Sequence, residues 1–297
     1  VSRRASAAGR NPSGGGRLVS AAPLLREDDL TFMRRFIADR SAIVLDDSKD
    51  YLLEARLLPL AEDQGFSSLA ELVSALRSQR ASPALVKLVV EAMTTNETSF
   101  FRDMAPFDCL KSLILPELSA ARAHRRCLNL WCGAASSGQE PYSILLLAQD
   151  VLPNFADWRI RLLATDLSSK MIERTRAGSY SQLEVNRGLP AKMLVRSFER
   201  QGMRWQIRPE LRALVDAQEL NLIDAWPHMP AMDVIFLRNV LIYFDVPTKQ
   251  SILHRIKSVL APDGYLFLGG AETTLGIDEG FDRVDFPNAS CYRLRGG

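Results

Sequence analysis

Cys127–Tyr142 reads CLNLWCGAASSGQEPY, and the run LLATD follows it, ending at Asp166. Leu128, Leu130 and Cys132 alternate as a buried strand does, Gly133 and Gly138 bound a loop, and a helix is expected to start near Glu140–Pro141. A buried strand that feeds a glycine loop and a helix start is how α/β folds bring main-chain N–H groups to a nucleotide-like ligand. Asp166, at the end of the next strand, stands where it would meet a ribose diol. The stretch predicts a cofactor-binding enzyme.

The loop chemistry narrows the ligand. No G-K-[ST] is present, and Gly133-x4-Gly138 is not the G-x-G-x-x-G of dinucleotide sites. The loop carries Ala134, Ala135, Ser136 and Ser137 but no Lys or Arg, and Glu140 flanks it. Carboxylates at 140 and 166 would repel a pyrophosphate and suit a cationic centre with sugar hydroxyls. S-adenosylmethionine has a sulfonium, an ammonium and a ribose, and no phosphate. A glycine loop alone occurs in any α/β protein; the two acids single out the ligand.

Composition sets the remaining bounds. At 297 residues the chain can build one large or two modest domains with a core. Cys109, Cys127, Cys132 and Cys291 form no C-x-x-C and read as reduced core thiols of a cytoplasmic protein. His124, His228 and His254 are scattered, so no metal site is expected. Val234–Phe244, the most apolar run, is broken by Arg238 and Asn239, so no membrane insertion is expected either. Residues 1–23 hold four Arg and no acid against a whole-chain charge of +2, leaving the remainder slightly acidic. That balance argues against nucleic acid as a partner. The Ser/Ala/Gly-rich segment 1–23 is expected to be a disordered basic tail.

Apolar spacing divides the rest. Residues 24–93 show only helical patterns, at Glu27–Arg40, Ser48–Gln64, Ser68–Arg80 and Pro83–Met93. Segment 94–105 is a linker, and 106–297 alternates strands with helices. Strands are expected near 127–132, 160–165, 216–220, 233–238 and 264–268, and helices near 140–150, 168–177 and 247–260. Two short runs near 281–286 and 290–294 close the chain. This order predicts an α/β fold with a mostly parallel sheet covered by helices. The linker carries TTNETSFFRD, residues 94–103, unusually rich in hydroxyls, aromatics and charge. Thr94 or Asn96 as the cap of a helix through Phe100 is the plain alternative, but it leaves Arg102 without a role.

TTNETSFFRD, WCGAASSGQEPYS, LLATDLS, QELNL, DVIFLRNVLIYFD and DGYLFLGGAET stand in the order and rough spacing of the chemotaxis receptor methyltransferase (CheR) family. The chain resembles that family from about Leu24 to Leu294, including YLLEARLLPLAEDQG in the helical part. The resemblance implies a Rossmann-like S-adenosylmethionine-dependent methyltransferase domain with a seven-stranded sheet. A small all-helical domain would precede it, and a small β-subdomain at about 180–212 would be inserted in it. It also implies methylation of glutamate side chains on the cytoplasmic helical domain of chemoreceptors, with S-adenosylhomocysteine as product.

Residue by residue, the resemblance assigns Asn96, Thr98 and Arg102 to the cofactor and active site. Glu140 would meet the methionine or sugar end, Asp166 the ribose, and Asn221 and Leu222 the adenine. Arg238 and Asn239 would lie at the end of the fourth strand beside the cofactor, with Tyr243 near the transferred methyl. As catalytic residues, Arg102 would hold the substrate carboxylate by one oxygen and Tyr243 would fix its angle. An aromatic wall at Tyr243–Phe244 and core packing for Leu222 stay open as alternatives. A cofactor-binding regulatory module of the same family, in a sensory pathway other than chemotaxis, is the rival function.

Two absences disfavour other acceptors. RNVLIYFD occupies the place where amino-group methyltransferases carry [DN]-P-P-[YFW], and no cysteine follows a proline. Residues 187–212 hold Arg187, Lys192, Arg196, Arg200, Arg204, Arg208 and Arg212 against Glu199 and Glu210. On a helix Pro190–Gln201, Lys192, Arg196 and Arg200 would form one basic stripe, either a solvated face or a dock for an acidic receptor helix. Only ERQGMR separates Phe198 from Trp205, too short for the loop with which some relatives grip a receptor's peptide tether, so direct docking is expected.

Overall fold

The computed structural model describes residues 25–78 and 80–296; the segment 1–23 read as a basic tail lies outside the described residues. Four helices come first: α1 (Glu27–Ser41), α2 (Asp50–Asp63), α3 (Leu69–Arg77) and α4 (Pro83–Ala92). Their starts follow their capping residues. Ser68 Oγ accepts the Glu71 N–H (3.2 Å), and Ser82 Oγ accepts the Leu85 N–H (3.2 Å) ahead of Pro83. α5 (Ala105–Cys109) runs through a π-helical turn (Leu110–Ile114) into α6 (Leu115–Ala121).

The sheet domain continues with β1 (Cys127–Gly133), α7 (Gln139–Val151), β2 (Arg159–Asp166) and α8 (Ser169–Ala177). An inserted unit follows: β3 (Ser179–Ser181), α9 (Gln182–Asn186), α10 (Ala191–Ser197), β4 (Phe198–Gln201), β5 (Arg204–Ile207) and α11 (Pro209–Arg212). The chain returns through β6 (Val215–Glu219), β7 (Met232–Leu237), α12 (Val246–Val259), β8 (Leu260–Leu268), β9 (Phe281–Arg283) and β10 (Cys291–Leu294). The seven strands lie in the order β6-β2-β1-β7-β8-β10-β9. The first five are parallel neighbours, and β10 inserts antiparallel between β8 and β9. The mostly parallel sheet is thus as expected.

Period-2 alternation sorts the core. Leu128, Leu130, Cys132, Val234, Phe236 and Phe267 face one apolar cluster, with Phe107 and Leu145. Trp131, Ile235, Leu237, Leu266 and Leu268 face the other, which holds Ile252 and Ile256 of α12 and also Met33, Leu53, Leu72 and Val89. The helical domain is therefore packed into the same apolar cluster as one sheet face. β1 pairs with both β2 and β7, so strand order reverses at its carboxyl end, where open α/β sheets place their ligands.

The insertion departs from expectation. The helix expected over Pro190–Gln201 stops at Ser197, and residues 198–201 pair as β4 with β5 in a three-stranded antiparallel sheet, β3-β5-β4. Burial of Phe198 beside Phe100 and Tyr180 overrides the helical spacing, and the pair Gly202-Met203 turns the hairpin. Arg200 therefore leaves the stripe. Arg187, Arg196, Arg204 and Arg208 pair with Glu97, Asp150, Glu184 and Glu199, which offsets part of the basic bias.

Candidate active site

The loop after β1 is tightly wound. Ala134 (φ 53°), Ser136 (φ 50°) and Gly138 (φ 91°) all adopt left-handed backbone, so every second residue is held where side chains are disfavoured. A Cβ at Gly138 would lie 2.9 Å from the Tyr180 hydroxyl, which itself donates to the Ser137 carbonyl (2.9 Å). Around the loop, Ala135 N–H donates to Thr165 O (2.9 Å), Thr175 Oγ1 to Ser136 O (3.0 Å) and Ser136 Oγ to Asn96 O (2.9 Å).

Asp166 fastens this loop to the end of β2. Its Oδ2 accepts the Ser136 N–H (2.8 Å) and its Oδ1 the Ser168 N–H (2.9 Å). Burial pushes its carboxyl above the ordinary aspartate value, with those N–H groups pulling the other way. A carboxylate has about four acceptor positions, so capacity remains on the cavity side for a diol.

Glu140, in the first turn of α7, is not the lone acid that its sequence position suggests. Its Oε2 pairs with Arg238 Nη1 (2.5 Å) and its Oε1 accepts the Cys132 thiol (3.2 Å). Arg238 also donates to the Arg102 carbonyl (3.0 Å) and to Asp103 Oδ2 (2.9 Å). Its Nε is buried with no partner among the described residues. The Cys132 thiol is pushed well up by burial and by Glu140, so it stays protonated and inert. The pairing leaves Asp166 as the less compensated acid of the cavity.

Segment 94–99 is not helical. Thr94 Oγ1 donates to Glu91 O (2.7 Å) at the end of α4 instead of capping a following helix. Arg56 of α2 holds the segment by its Met93 (2.7 Å) and Thr94 (3.0 Å) carbonyls and Thr95 Oγ1 (3.1 Å). Asn96 Nδ2 donates to Thr94 Oγ1 (3.0 Å), and Arg102 Nη1 reaches back to Glu97 O (2.9 Å). Phe100 sits edge-on to Tyr180 (5.0 Å) and Phe198 (5.8 Å).

Opposite, Asn239 (φ 58°) follows β7 and leads into a 3-10 turn, Leu241–Tyr243, whose last carbonyl accepts the Val44 N–H (2.9 Å). Asn221 Nδ2 donates to the Arg40 carbonyl at the end of α1 (2.8 Å). Leu222 both lines the cavity and belongs to the apolar core.

One cavity is lined by Asn96, Thr98, Arg102, Glu140, Asp166, Asn221, Leu222, Arg238, Asn239 and Tyr243, bringing together every residue that the sequence assigned to the cofactor and active site. It is also lined by Ser41, Ile43, Thr94, Thr95, Glu97, Leu167, Leu220, Val240 and Phe244. Ser41 and Ile43 escaped the sequence reading because the end of an amphipathic helix carries no chemical signal. Thr94, Thr95 and Glu97 lay inside a motif whose local path was unreadable. Among the described residues no His/Cys/Asp/Glu cluster suits a metal ion, and no helix is long and apolar enough to cross a membrane.

The lining fits an adenosyl amino acid. Leu167, Leu220, Leu222 and Phe244 offer apolar surface for a base, Asp166 an acceptor for a diol, and the buried Arg238 Nε–H a donor for a carboxylate. Among the described residues no lysine lines it to hold a polyphosphate. Fold and lining together define a Rossmann-like S-adenosylmethionine-dependent methyltransferase. The profile of the CheR methyltransferase SAM binding domain matches residues 96–289, and that of the CheR all-alpha domain matches 28–94. Chemotaxis protein methyltransferase 1 of Pseudomonas aeruginosa is 40% identical over 271 residues, covering 90% of this chain and 98% of that one. Chemotaxis protein methyltransferase Cher2 of Pseudomonas putida is 38% identical, with the same coverage. The chemotaxis protein methyltransferase of Vibrio parahaemolyticus is 38% identical, covering 88% of this chain and 94% of that one. The chain belongs to the CheR methyltransferase family.

Proposed function

We propose that this chain esterifies glutamate side chains on the cytoplasmic helical domain of chemoreceptors, acting in the cytoplasm. The observation that carries the reading is a cavity wall with a partly exposed arginine and a tyrosine, whose lining carboxylates Glu97, Glu140 and Asp166 are already engaged by Arg187, Arg238 and main-chain N–H groups. Arg102 keeps about a third of its side chain exposed, and Tyr243 lines the same cavity. Among the described residues no His, Cys or Lys lines the cavity. A glutamate with a pKa of about 4.3 is already ionised at neutral pH and needs no base to attack a methyl. S-adenosylmethionine, when bound, supplies an electrophilic methyl on a sulfonium.

The chain's part is alignment, which contributes roughly 7–11 kcal/mol to such reactions. Asp166 and Asn96 would hold the nucleoside, Asn221 and Leu222 the base, and Glu140, through Arg238, the amino-acid end. Thr98 and Asn239 would complete the walls. Arg102 would steer the incoming carboxylate by one oxygen, since a bidentate clamp would blunt its nucleophilicity. Tyr243 would fix the angle of approach. The two-residue hairpin turn at Gly202-Met203 favours direct docking over capture of a peptide tether.

Calorimetric cofactor binding together with single-turnover rates tests the roles. Arg102→Ala and Tyr243→Phe are expected to slow transfer about tenfold or more while cofactor affinity changes by less than about threefold. Unchanged chemistry in both variants would contradict the assignment.

A further inference from the structure

The motif DGYLFLGGAET contains a buried carboxylate, Glu272, that does not line the cavity. It has no cationic partner among the described residues and instead collects four main-chain N–H groups. Oε2 accepts from Asn239 (2.8 Å) and Gly269 (2.6 Å), and Oε1 from Val240 (2.9 Å) and Ile242 (3.2 Å). Three of these donors lie in the irregular segment between β7 and Tyr243, where no strand ladder serves them. Buried N–H groups left unpaired there would be costly. Two of those residues, Asn239 and Val240, line the cavity, and Asn239 adopts the left-handed backbone that asparagine tolerates better than most residues. At Gly269 a Cβ would stand 2.7 Å from Glu272 Oε2 and 2.9 Å from Asn239 N, so the glycine makes room for this junction.

We propose that Glu272 is a positioning residue for methyl transfer. Its carboxylate pins the segment 239–242 and so sets the wall that carries Asn239, Val240 and Tyr243. Nothing on Glu272 touches the reacting atoms; it acts through the segment. The inference rests on the methyl-transfer reading above.

Glu272→Gln keeps the shape but replaces one acceptor oxygen with a donor. Expected are a fall in kcat of about tenfold or more and faster hydrogen exchange at the Asn239, Val240 and Ile242 amides. Receptor KM should stay within about threefold when rates are counted per folded molecule by S-adenosylhomocysteine stoichiometry. Gly269→Ala presses on the same oxygen without altering the carboxylate and is expected to give the same pattern; it serves alone if Glu272→Gln does not fold. The double variant should be no worse than either single one. Unchanged kcat per folded molecule, or a loss of kcat without faster local exchange, overturns the proposal. If the wild-type protein transfers no methyl to receptor fragments, the acceptor reading has failed instead. Glu272 is then judged by S-adenosylhomocysteine affinity, expected to weaken about tenfold in the variants and overturning the proposal if unchanged.

Discussion

Asp166 ties the loop Gly133–Gly138 to β2 and lines the cavity, so one carboxylate shapes the site and offers itself to a ligand. Hydrogen bonds to a charged group contribute about 1.5–3 kcal/mol each, so Asp166→Ala is expected to weaken S-adenosylhomocysteine binding by about tenfold or more, measured calorimetrically. Because burial raises its folded-state pKa, Asp166 takes up a proton at higher pH than an ordinary aspartate as the solution is acidified. A protonated carboxyl serves a diol less well, so affinity should fall on the acid side and Asp166→Asn should flatten that limb; an identical limb in the variant would remove Asp166 from the ligand. Asp166 and Glu140 were legible as acids flanking a glycine loop. The Arg238 partner of Glu140 was not, since 98 residues separate them and only the β1–β7 pairing brings them together.

Elements were legible wherever local chemistry and burial agree. Ser82-Pro83 opens α4, and the alternation of Leu128, Leu130 and Cys132 is β1. Residues 198–201 obey helical spacing yet form β4, because Phe198 is buried against Phe100 and the strand completes a hairpin. The path of TTNETSFFRD was equally hidden. It is set from outside by Arg56, Ser136 and Ser143, none of them neighbours in sequence. Arg56→Ala removes three hydrogen bonds from this segment and is expected to raise the cofactor Kd about tenfold while α2 persists, as read by calorimetry and circular dichroism. Affinity equal to wild type would mean the segment holds its own course.

At the scale of the molecule, the helical domain shares an apolar cluster with one sheet face, and its ends reach the cavity through Ser41, Ile43 and the 94–99 segment. The opposite end of the sheet is pinned by Arg122, which pairs with Asp233 (2.9 Å) and Asp263 (2.5 Å). Asp233 is fully buried and also accepts the Asn129 N–H (2.8 Å). Breaking such a buried pair costs about 3–5 kcal/mol, so Asp233→Ala should lower the denaturant midpoint well below that of surface substitutions. Arg122 holds the Asp263 carboxyl below its usual range. Its contribution is therefore complete above the ordinary aspartate range and lost as pH falls toward the lowered folded value; Asp263→Asn should reduce the acid dependence of unfolding. Incubation with methyl-labelled S-adenosylmethionine and a chemoreceptor cytoplasmic fragment goes to the centre of the proposed function. Base-labile label released as methanol, and lost when the receptor's acceptor glutamates are replaced by alanine, is the expected result. Base-stable label, or none with cofactor bound, would contradict glutamate esterification.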